Sequence, residues 1–241
     1  MIDINADIGE SYGAYTIGND KELLQLISSC NIACGFHAGD PDVMRETIEL
    51  AIKQGVNIGA HPGYADLHGF GRRHIPMTHE SLFNLMLYQV SALKGMVEAM
   101  GGKLHHVKPH GALYNDAARD EGIAQAIVKA IAAVDNELKL FGLSGSLVGE
   151  VAADIGLEFV HEVFLDRRYQ SDGSLVPRSN PQAVIHDQQE ALQQLEHMLH
   201  KGVVDTIEGK QIPIKAETLC IHGDHPESLS FAKAVVMRLT R

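Results

Sequence analysis

INADIGE, at residues 4–10, is a short apolar run that ends in a group of polar residues. The same design recurs six times: NIACGFHAGD at 31–40, NIGAHPGY at 57–64, HHVKPHGALYN at 105–115, FGLSGS at 141–146, VFLDRRYQSDG at 163–173 and LCIHGDHP at 219–226. Segments with helical periodicity lie between the runs. Strand, polar turn and helix in alternation is typical of an α/β barrel or a wound sheet, in which functional residues gather at the carboxyl ends of the strands. The chain is therefore predicted to be an α/β protein whose site draws on most of its length.

The connecting helices are marked by apolar stripes and by their ends. After Asp40, which is expected to cap a helix, Pro41 takes a first-turn position and Gly55 ends the stripe. Further periodic segments predict helices over 78–100, 123–134, 187–201 and 226–239, with shorter ones over 19–29 and 146–155. Residues 203–216 predict a small hairpin. No linker, repeat or low-complexity segment divides the chain, so residues 1–241 are expected to form one barrel domain.

Composition and charge argue against several kinds of partner and cellular location. The net charge of −11 argues against nucleic acid or an anionic membrane as a partner, although it leaves room for a local basic pocket. The polar first ten residues are unlike a signal peptide, and no apolar run reaches the roughly 18 residues that cross a bilayer. We therefore expect a cytoplasmic protein whose three cysteines are reduced, buried thiols.

Side-chain alternation predicts which polar residues share a face. Successive strand residues point to opposite sides, and helices cover the outer face of a parallel barrel, so the outer face should be apolar. The polar positions of each run should then point into the barrel, with the last of them at its mouth. Asn5 and Asn31 belong to this inward set. The side chains expected to converge on one cavity are Asp7, His37, His61, Lys108, His110, Asp166 and His222.

These residue types define the chemistry that is open to the site. Histidines and carboxylates from separate strands can act as general acids and bases or bind a divalent metal. No local metal motif is present, and Asp7, His61 and His222 could meet around an ion only through the fold, so no metal ligand is assigned. Lys108 could polarise a carbonyl, and Arg167 could clamp a carboxylate or phosphate. The chain has no phosphate-binding loop of the Walker type, so nothing indicates that it binds a nucleotide alone.

Other polar residues have simpler interpretations. Arg72 and Arg73, in a glycine-rich loop, are expected to be solvated. Four histidines in or beside helices are expected at the surface: His79, His186, His197 and His200.

Five segments, taken together, resemble the LamB/YcsF lactam-utilisation family. They are DINADIGE at 3–10, NIACGFHAGD at 31–40, IGAHP at 58–62, HVKPHGALYN at 106–115 and DRRYQSDGSLVPRS at 166–179, in the family's order and across nearly the whole chain. The resemblance implies a distorted seven-stranded (β/α) TIM-like barrel of the glycoside hydrolase/deacetylase type. It also implies a hydrolase activity, because bacterial members of the family form the A component of a three-component, ATP-dependent 5-oxoprolinase.

The resemblance implies a reaction and partners. The enzyme would open the lactam of 5-oxoproline to give glutamate, working with subunits B and C and using ATP through the complex. A five-membered lactam is a stable amide, and phosphorylation of its oxygen would activate the ring carbon toward water.

Residue roles follow as hypotheses. Lys108 and Arg167 would stabilise the lactam oxygen or a phosphorylated intermediate. Asp7, or else Asp166, would act as general base. Proton transfer would fall to His61, His110 and His222. The expected substrate-binding residues are Asn5, Glu10, Asn31, His37, Tyr114 and Tyr169.

Two other functions stay open from the sequence. One is a stand-alone, metal-dependent carbohydrate deacetylase, which would contain zinc and need no ATP. The other is a non-catalytic subunit that channels substrate to its partners.

Overall fold

A closed barrel of seven parallel strands forms the centre of the computed structural model, which describes residues 2–221 and 228–239. The barrel strands, in spatial order, are β1 (Asp3–Ile8), β2 (Ser29–Ala33), β3 (Asn57–His61), β4 (Leu104–Val107), β5 (Lys139–Leu143), β6 (Phe159–Phe164) and β9 (Thr218–Ile221). Strand β9 pairs with both β1 and β6 and so closes the barrel. The predicted seven-stranded (β/α) barrel is confirmed.

Helices surround the barrel and connect its strands. They are α1 (Asp20–Leu23), α2 (Pro41–Gln54), α3 (His79–Ala99), α4 (Gly111–Ala117), α5 (Glu121–Val134), α6 (Leu147–Asp154), α7 (Gln188–Glu196) and α8 (Ser228–Leu239). A 3₁₀ turn occupies Leu67–Gly69, and a π-helical turn over His197–Lys201 extends α7. Among the described residues, no helix is long and apolar enough to cross a membrane.

Local sequence signals explain where most helices begin and end. The Asp40 carboxylate accepts hydrogen bonds from the backbone N–H groups of Asp42 and Val43, and Gly55 takes the left-handed conformation after the last turn of α2. The predicted hairpin is present as β7 (Val203–Asp205) paired with β8 (Gln211–Pro213). The predicted helix over 19–29 is wrong in extent, because only the four residues of α1 are helical before β2 begins.

The barrel interior is polar where the sequence alternation predicts it to be. On β1, Ile4, Ala6 and Ile8 are buried against the helices, whereas Asn5 and Asp7 bond to residues of other strands across the barrel. The interior therefore holds a hydrogen-bonded network, and this network supports the site at the carboxyl ends of the strands.

Candidate active site

A buried ammonium group lies at the centre of the barrel. The Nζ of Lys108 lies 2.8 Å from Oε1 of Glu162, 3.0 Å from Oδ1 of Asp7, 3.2 Å from Oδ1 of Asn5 and 3.0 Å from Sγ of Cys220. Burial alone would lower the pKa of Lys108, but its interactions with Asp7, Cys220 and Glu162 outweigh that effect and raise the pKa well above its ordinary value. Lys108 is therefore a permanent cation that holds two carboxylates.

Two asparagines connect this ammonium to the rest of the interior. The Asn31 amide donates to Oδ1 of Asn5 and to Oδ1 of Asp7, both at 2.8 Å. The Asn5 amide donates to Oε1 of Glu162 at 3.0 Å and to Oγ1 of Thr218 at 2.8 Å. Both asparagines are fully buried. Their hydrogen-bonding capacity is used within the barrel, so they position Asp7 and Lys108 from below.

A layer of histidines lies above the ammonium. The Nδ1 of His61 lies 2.7 Å from the backbone carbonyl of Lys108, and its Nε2 lies 3.4 Å from Oδ2 of Asp7. The Nδ1 of His110 lies 2.9 Å from Nε2 of His61, and its Nε2 lies 2.8 Å from the carbonyl of Phe70. Burial, followed by the charges of His37 and His61, lowers the pKa of His110 well below its ordinary value. The ring is therefore neutral near pH 7.

His37 and Glu10 complete this layer. His37 stacks on His110 with ring centroids 3.7 Å apart and planes 2° from parallel. Its Nε2 lies 3.5 Å from Oε1 of Glu10, and that oxygen is 3.7 Å from Nδ1 of His110. The close stacking depends on Gly71, because a Cβ at that position would lie 2.7 Å from Cδ2 of the His110 ring and 2.7 Å from Cβ of His37.

A cavity of about 670 Å³ opens above these groups. Asp7, Glu10, His61, Lys108 and His110 form its floor. Further lining residues come from the segments that follow β4, β5 and β6, among them Tyr114, Asn115, Ser144, Ser146, Arg167 and Ser174. A volume of this size admits a small metabolite with part of a larger cosubstrate.

Arginines line the outer part of the cavity. Arg72, Arg119 and Arg178 are exposed and contribute to its wall. Arg167 is buried, and its guanidinium donates to the carbonyls of Val176 at 2.7 Å and Ala183 at 3.4 Å. Burial and then the charge of Arg178 lower the pKa of Arg167 to about 10. The wall is thus basic, whereas the floor carries buried carboxylates.

The structure brings most of the predicted site residues together. Of the predicted set, those that line the cavity are Asp7, Glu10, His61, Lys108, His110, Tyr114 and Arg167. Asn5, Asn31 and His37 lie directly beneath or behind the floor.

Two predicted residues are placed differently, and a third lies outside the part of the chain that the structure describes. Asp166 is buried but does not line the cavity. Tyr169 is fully buried, and its hydroxyl accepts a hydrogen bond from the backbone N–H of Phe164 at 2.9 Å, which secures the end of β6. His222 lies outside the described residues. Arg168, beside Arg167, forms an ion pair with Glu190 on α7.

Sequence reasoning gave no role to several residues around the site. Glu162 has the inward parity of β6, which predicts that its side chain enters the barrel but does not identify it as a partner of Lys108. His106 is also inward: its Nε2 donates to Oδ1 of Asn31 at 2.7 Å, and its ring stacks on Phe141. Arg119 and Arg178 carried no such signal, because they reach the cavity from a helix end and a long loop.

The comparisons with known proteins agree with one another. The model of the LamB/YcsF family matches residues 2–241. A Brevibacillus brevis protein named as the A subunit of 5-oxoprolinase is 53% identical over 234 residues, which cover 97% of this chain and 92% of that protein. A Bordetella pertussis protein of the same name is 50% identical over 240 residues, covering 100% of this chain and 95% of that protein. The crystal structure of a lactam utilization protein from Thermus thermophilus is similar with a TM-score of 0.93 and 45% identity, covering 99% of this chain and 96% of that one.

Proposed function

Because this chain belongs to the LamB/YcsF family, we propose that it is the A component of a 5-oxoprolinase, a hydrolase that opens the lactam of 5-oxo-L-proline to give L-glutamate. The observation that carries the proposal is identity of about one half, over nearly full length, to proteins named for that activity. The site supports it independently, since one cavity contains a carboxylate, imidazoles and arginines, which are the groups that amide hydrolysis of an anionic substrate requires.

ATP supplies the activation in this proposal. Transfer of a phosphoryl group to the lactam oxygen makes the ring carbon electrophilic, and water then adds to that carbon. The C–N bond breaks, the amine takes up a proton, and the resulting acyl phosphate is hydrolysed by a second water to glutamate and phosphate. The described residues gave no independent sign of a nucleotide site. We therefore place ATP use in the complex, with two further subunits, B and C, as the partners.

The polarity of the cavity suggests how the substrate is oriented. The carboxylate of 5-oxoproline and its lactam carbonyl lie on opposite sides of the ring nitrogen. If the carboxylate pairs with the exposed guanidinium groups of Arg72, Arg119 or Arg178, the carbonyl is directed toward the floor. There it meets Asp7 and the imidazoles of His61 and His110.

Asp7 is the best placed general base. Its Oδ1 is held by Lys108 and Asn31, while its Oδ2 is on the side of His61 and the cavity. Lys108 has four neighbours within 3.2 Å, so its first effect is to fix Asp7 in place, and any contact with the lactam oxygen comes in addition. His61 and His110, neighbours at 2.9 Å, lie beside Asp7 on the floor, and Asp7, once it has taken a proton from the attacking water, is placed to deliver the proton that the leaving amine needs.

The test is 5-oxoproline-dependent ATP hydrolysis and glutamate release, measured with the purified chain alone and after addition of subunits B and C. We expect negligible turnover by the chain alone and tight coupling of the two products in the assembled complex. Robust turnover by the single chain would contradict the assignment as one component. Deacetylation of an N-acetyl sugar without ATP would support the deacetylase alternative. Full activity of a complex containing Asp7→Asn would support a channelling role.

A further inference from the structure

Two imidazole nitrogens face each other above the barrel interior, and backbone carbonyls decide where the protons of these rings are. Nδ1 of His61 lies 2.7 Å from the carbonyl of Lys108, and Nε2 of His110 lies 2.8 Å from the carbonyl of Phe70. A carbonyl oxygen only accepts hydrogen bonds, so these two nitrogens carry the ring protons. Nε2 of His61 and Nδ1 of His110 are then lone-pair acceptors, yet they lie only 2.9 Å apart. Such a pair repels unless a positive charge is shared between them.

A proton shared between His61 and His110 would remove their repulsion but would explain only part of this arrangement. It would make one ring a buried imidazolium, and it would leave His37 unexplained. His37 is 1% exposed and stacked on His110, and among residues 2–221 and 228–239 neither of its ring nitrogens has a hydrogen-bond partner. Buried polar groups without hydrogen bonds are rare, and neutral imidazole is the commonest metal ligand in proteins. A metal ion satisfies all three rings at once.

The distances between the donor atoms fit one small ion. One ligand atom from each of Glu10, His37, His61 and His110 can be chosen so that all four lie within 4.8 Å of one another. Neighbouring pairs are 2.9, 3.5 and 3.7 Å apart. Four ligands placed tetrahedrally about 2.0–2.1 Å from zinc are roughly 3.3–3.4 Å from each other. The spacing therefore fits one ion, and binding requires the His37 ring to turn out of its stack on His110, because two parallel imidazole planes cannot both point a nitrogen lone pair at the same ion.

We propose that Glu10, His37, His61 and His110 form a binding site for one divalent transition-metal ion. Three imidazole nitrogens and one carboxylate favour zinc, cobalt or iron(II) over magnesium or calcium, which prefer oxygen ligands. The carbonyls of Lys108 and Phe70 act as outer partners that fix the ring tautomers, as is usual at histidine metal sites. Asp7, whose Oδ2 lies 3.4 Å from Nε2 of His61, is close enough to act as a fifth ligand or to bind an ion-bound water.

Binding can be tested without any assay of lactam hydrolysis, so failure of this proposal and failure of the proposed function are distinguishable. The chain is stripped with a chelator and titrated with Zn²⁺ by calorimetry, and with Co²⁺ while its visible absorption is followed. We expect one ion per chain with submicromolar affinity and the intense bands of four- or five-coordinate cobalt. His37→Gln should weaken binding by at least about 100-fold, more than the effect typical of an outer partner.

His74→Gln is the matched control, because His74 lines the same cavity but its side chain is 56% exposed and bonds to Asp116. This variant should bind as the wild type does. If His37→Gln does not fold, Glu10→Gln takes its place, and the stoichiometry of the wild type still decides the question. Absence of binding to the wild-type chain at 100-fold excess of either ion would overturn the proposal, as would equal loss in His74→Gln.

Discussion

Asp7 and Glu162 hold the same ammonium group but face different surroundings. Asp7 lines the cavity, whereas Glu162 is fully buried below it. If Asp7 is the general base, Asp7→Asn should lower glutamate release by the assembled complex about 10²–10⁴-fold. Glu162→Gln removes one charge from the same network and is the matched control. It should leave most of the activity in the folded protein, so an equal loss in both variants would show that Asp7 acts only through the network.

Lys108 has a structural role, because its ammonium group pairs with two buried carboxylates. Removing it leaves two buried carboxylates without their cation, and breaking a buried ion pair in this way costs about 3–5 kcal/mol. Lys108→Met should therefore lose unfolding free energy as well as activity. Urea denaturation measures the loss.

A double variant tests how much of this loss of stability comes from the unpaired charge of Glu162. Lys108→Met combined with Glu162→Gln should be less destabilised than the sum of the single changes, because it removes one of the stranded charges. Strict additivity of the two unfolding free energies would mean that the ion pair does not determine the stability of the interior.

His106 should make stability depend on pH. Burial, followed by the charges of His105, Lys108, His61 and Lys139, lowers its pKa well below the ordinary value. In the unfolded chain its pKa is about 6.5, so below that pH the unfolded state takes up a proton that the folded state refuses. His106 therefore costs no unfolding free energy above about pH 6.5. Below that pH, it lowers the unfolding free energy by about 1.4 kcal/mol per pH unit.

Urea unfolding between pH 5 and 8, with chelator present, measures this slope. His106→Gln should make it shallower by up to one proton, while His200→Gln, on the surface, should leave it unchanged. An unchanged slope in His106→Gln would contradict the assignment.

The centre of strand β3 needs a residue without a side chain, because His106 of β4 packs against it. A Cβ on Gly59 would lie 2.1 Å from Nε2 of His106, which is buried inside the barrel. Gly59→Ala should therefore destabilise the protein by about 1–3 kcal/mol, the usual cost of overpacking. Gly95→Ala on α3 is the control, since a Cβ there meets nothing within 4 Å and alanine favours helix. Melting temperatures should fall for the first variant and stay equal or rise for the second.

Strands and long helices could be predicted because each carries its own periodic signal. The alternation on β1 placed Asn5 and Asp7 inside the barrel, and the apolar stripe from Thr78 predicted α3. Helix α4 was missed because its seven residues follow directly on the site segment after β4 and include few periodic positions. α1 was overextended because its apolar residues continue past its end, where Leu24 and Ile27 are still buried but the chain already turns toward β2.

The candidate site was predictable as a set of residues but not as an arrangement. Parity indicates which side chains enter the barrel, and it cannot say which of them reach the cavity. Asn31 and Asp7 share a face and are register partners on β2 and β1, yet only Asp7 lines the cavity. The tautomers of His61 and His110 depend on carbonyls of Lys108 and Phe70, contacts that only the folded chain defines.

Across the whole molecule, function is expected to require assembly. Relatives named as the A subunit of an enzyme indicate a complex of several chains, and in the described residues the cavity supplies acid–base groups without an evident nucleotide site. Mixing this chain with subunits B and C should bring glutamate release from near zero to full turnover. Analytical ultracentrifugation of the mixture should show a stable species that contains this chain, and activity without any such species would contradict a fixed assembly.

The exposed arginines of the cavity wall stand on a molecule whose formal net charge is −11. An anion that approaches from a distance meets a molecule of net negative charge, and the guanidinium groups of the cavity wall attract it at short range. Ionic strength should therefore change the rate of substrate capture more than it changes the rate of the chemical step. Added salt should lower kcat/KM of the assembled complex for 5-oxoproline while kcat stays nearly constant, because screening weakens the encounter and has little effect on bound substrate. Arg178→Gln should make kcat/KM depend less on salt concentration.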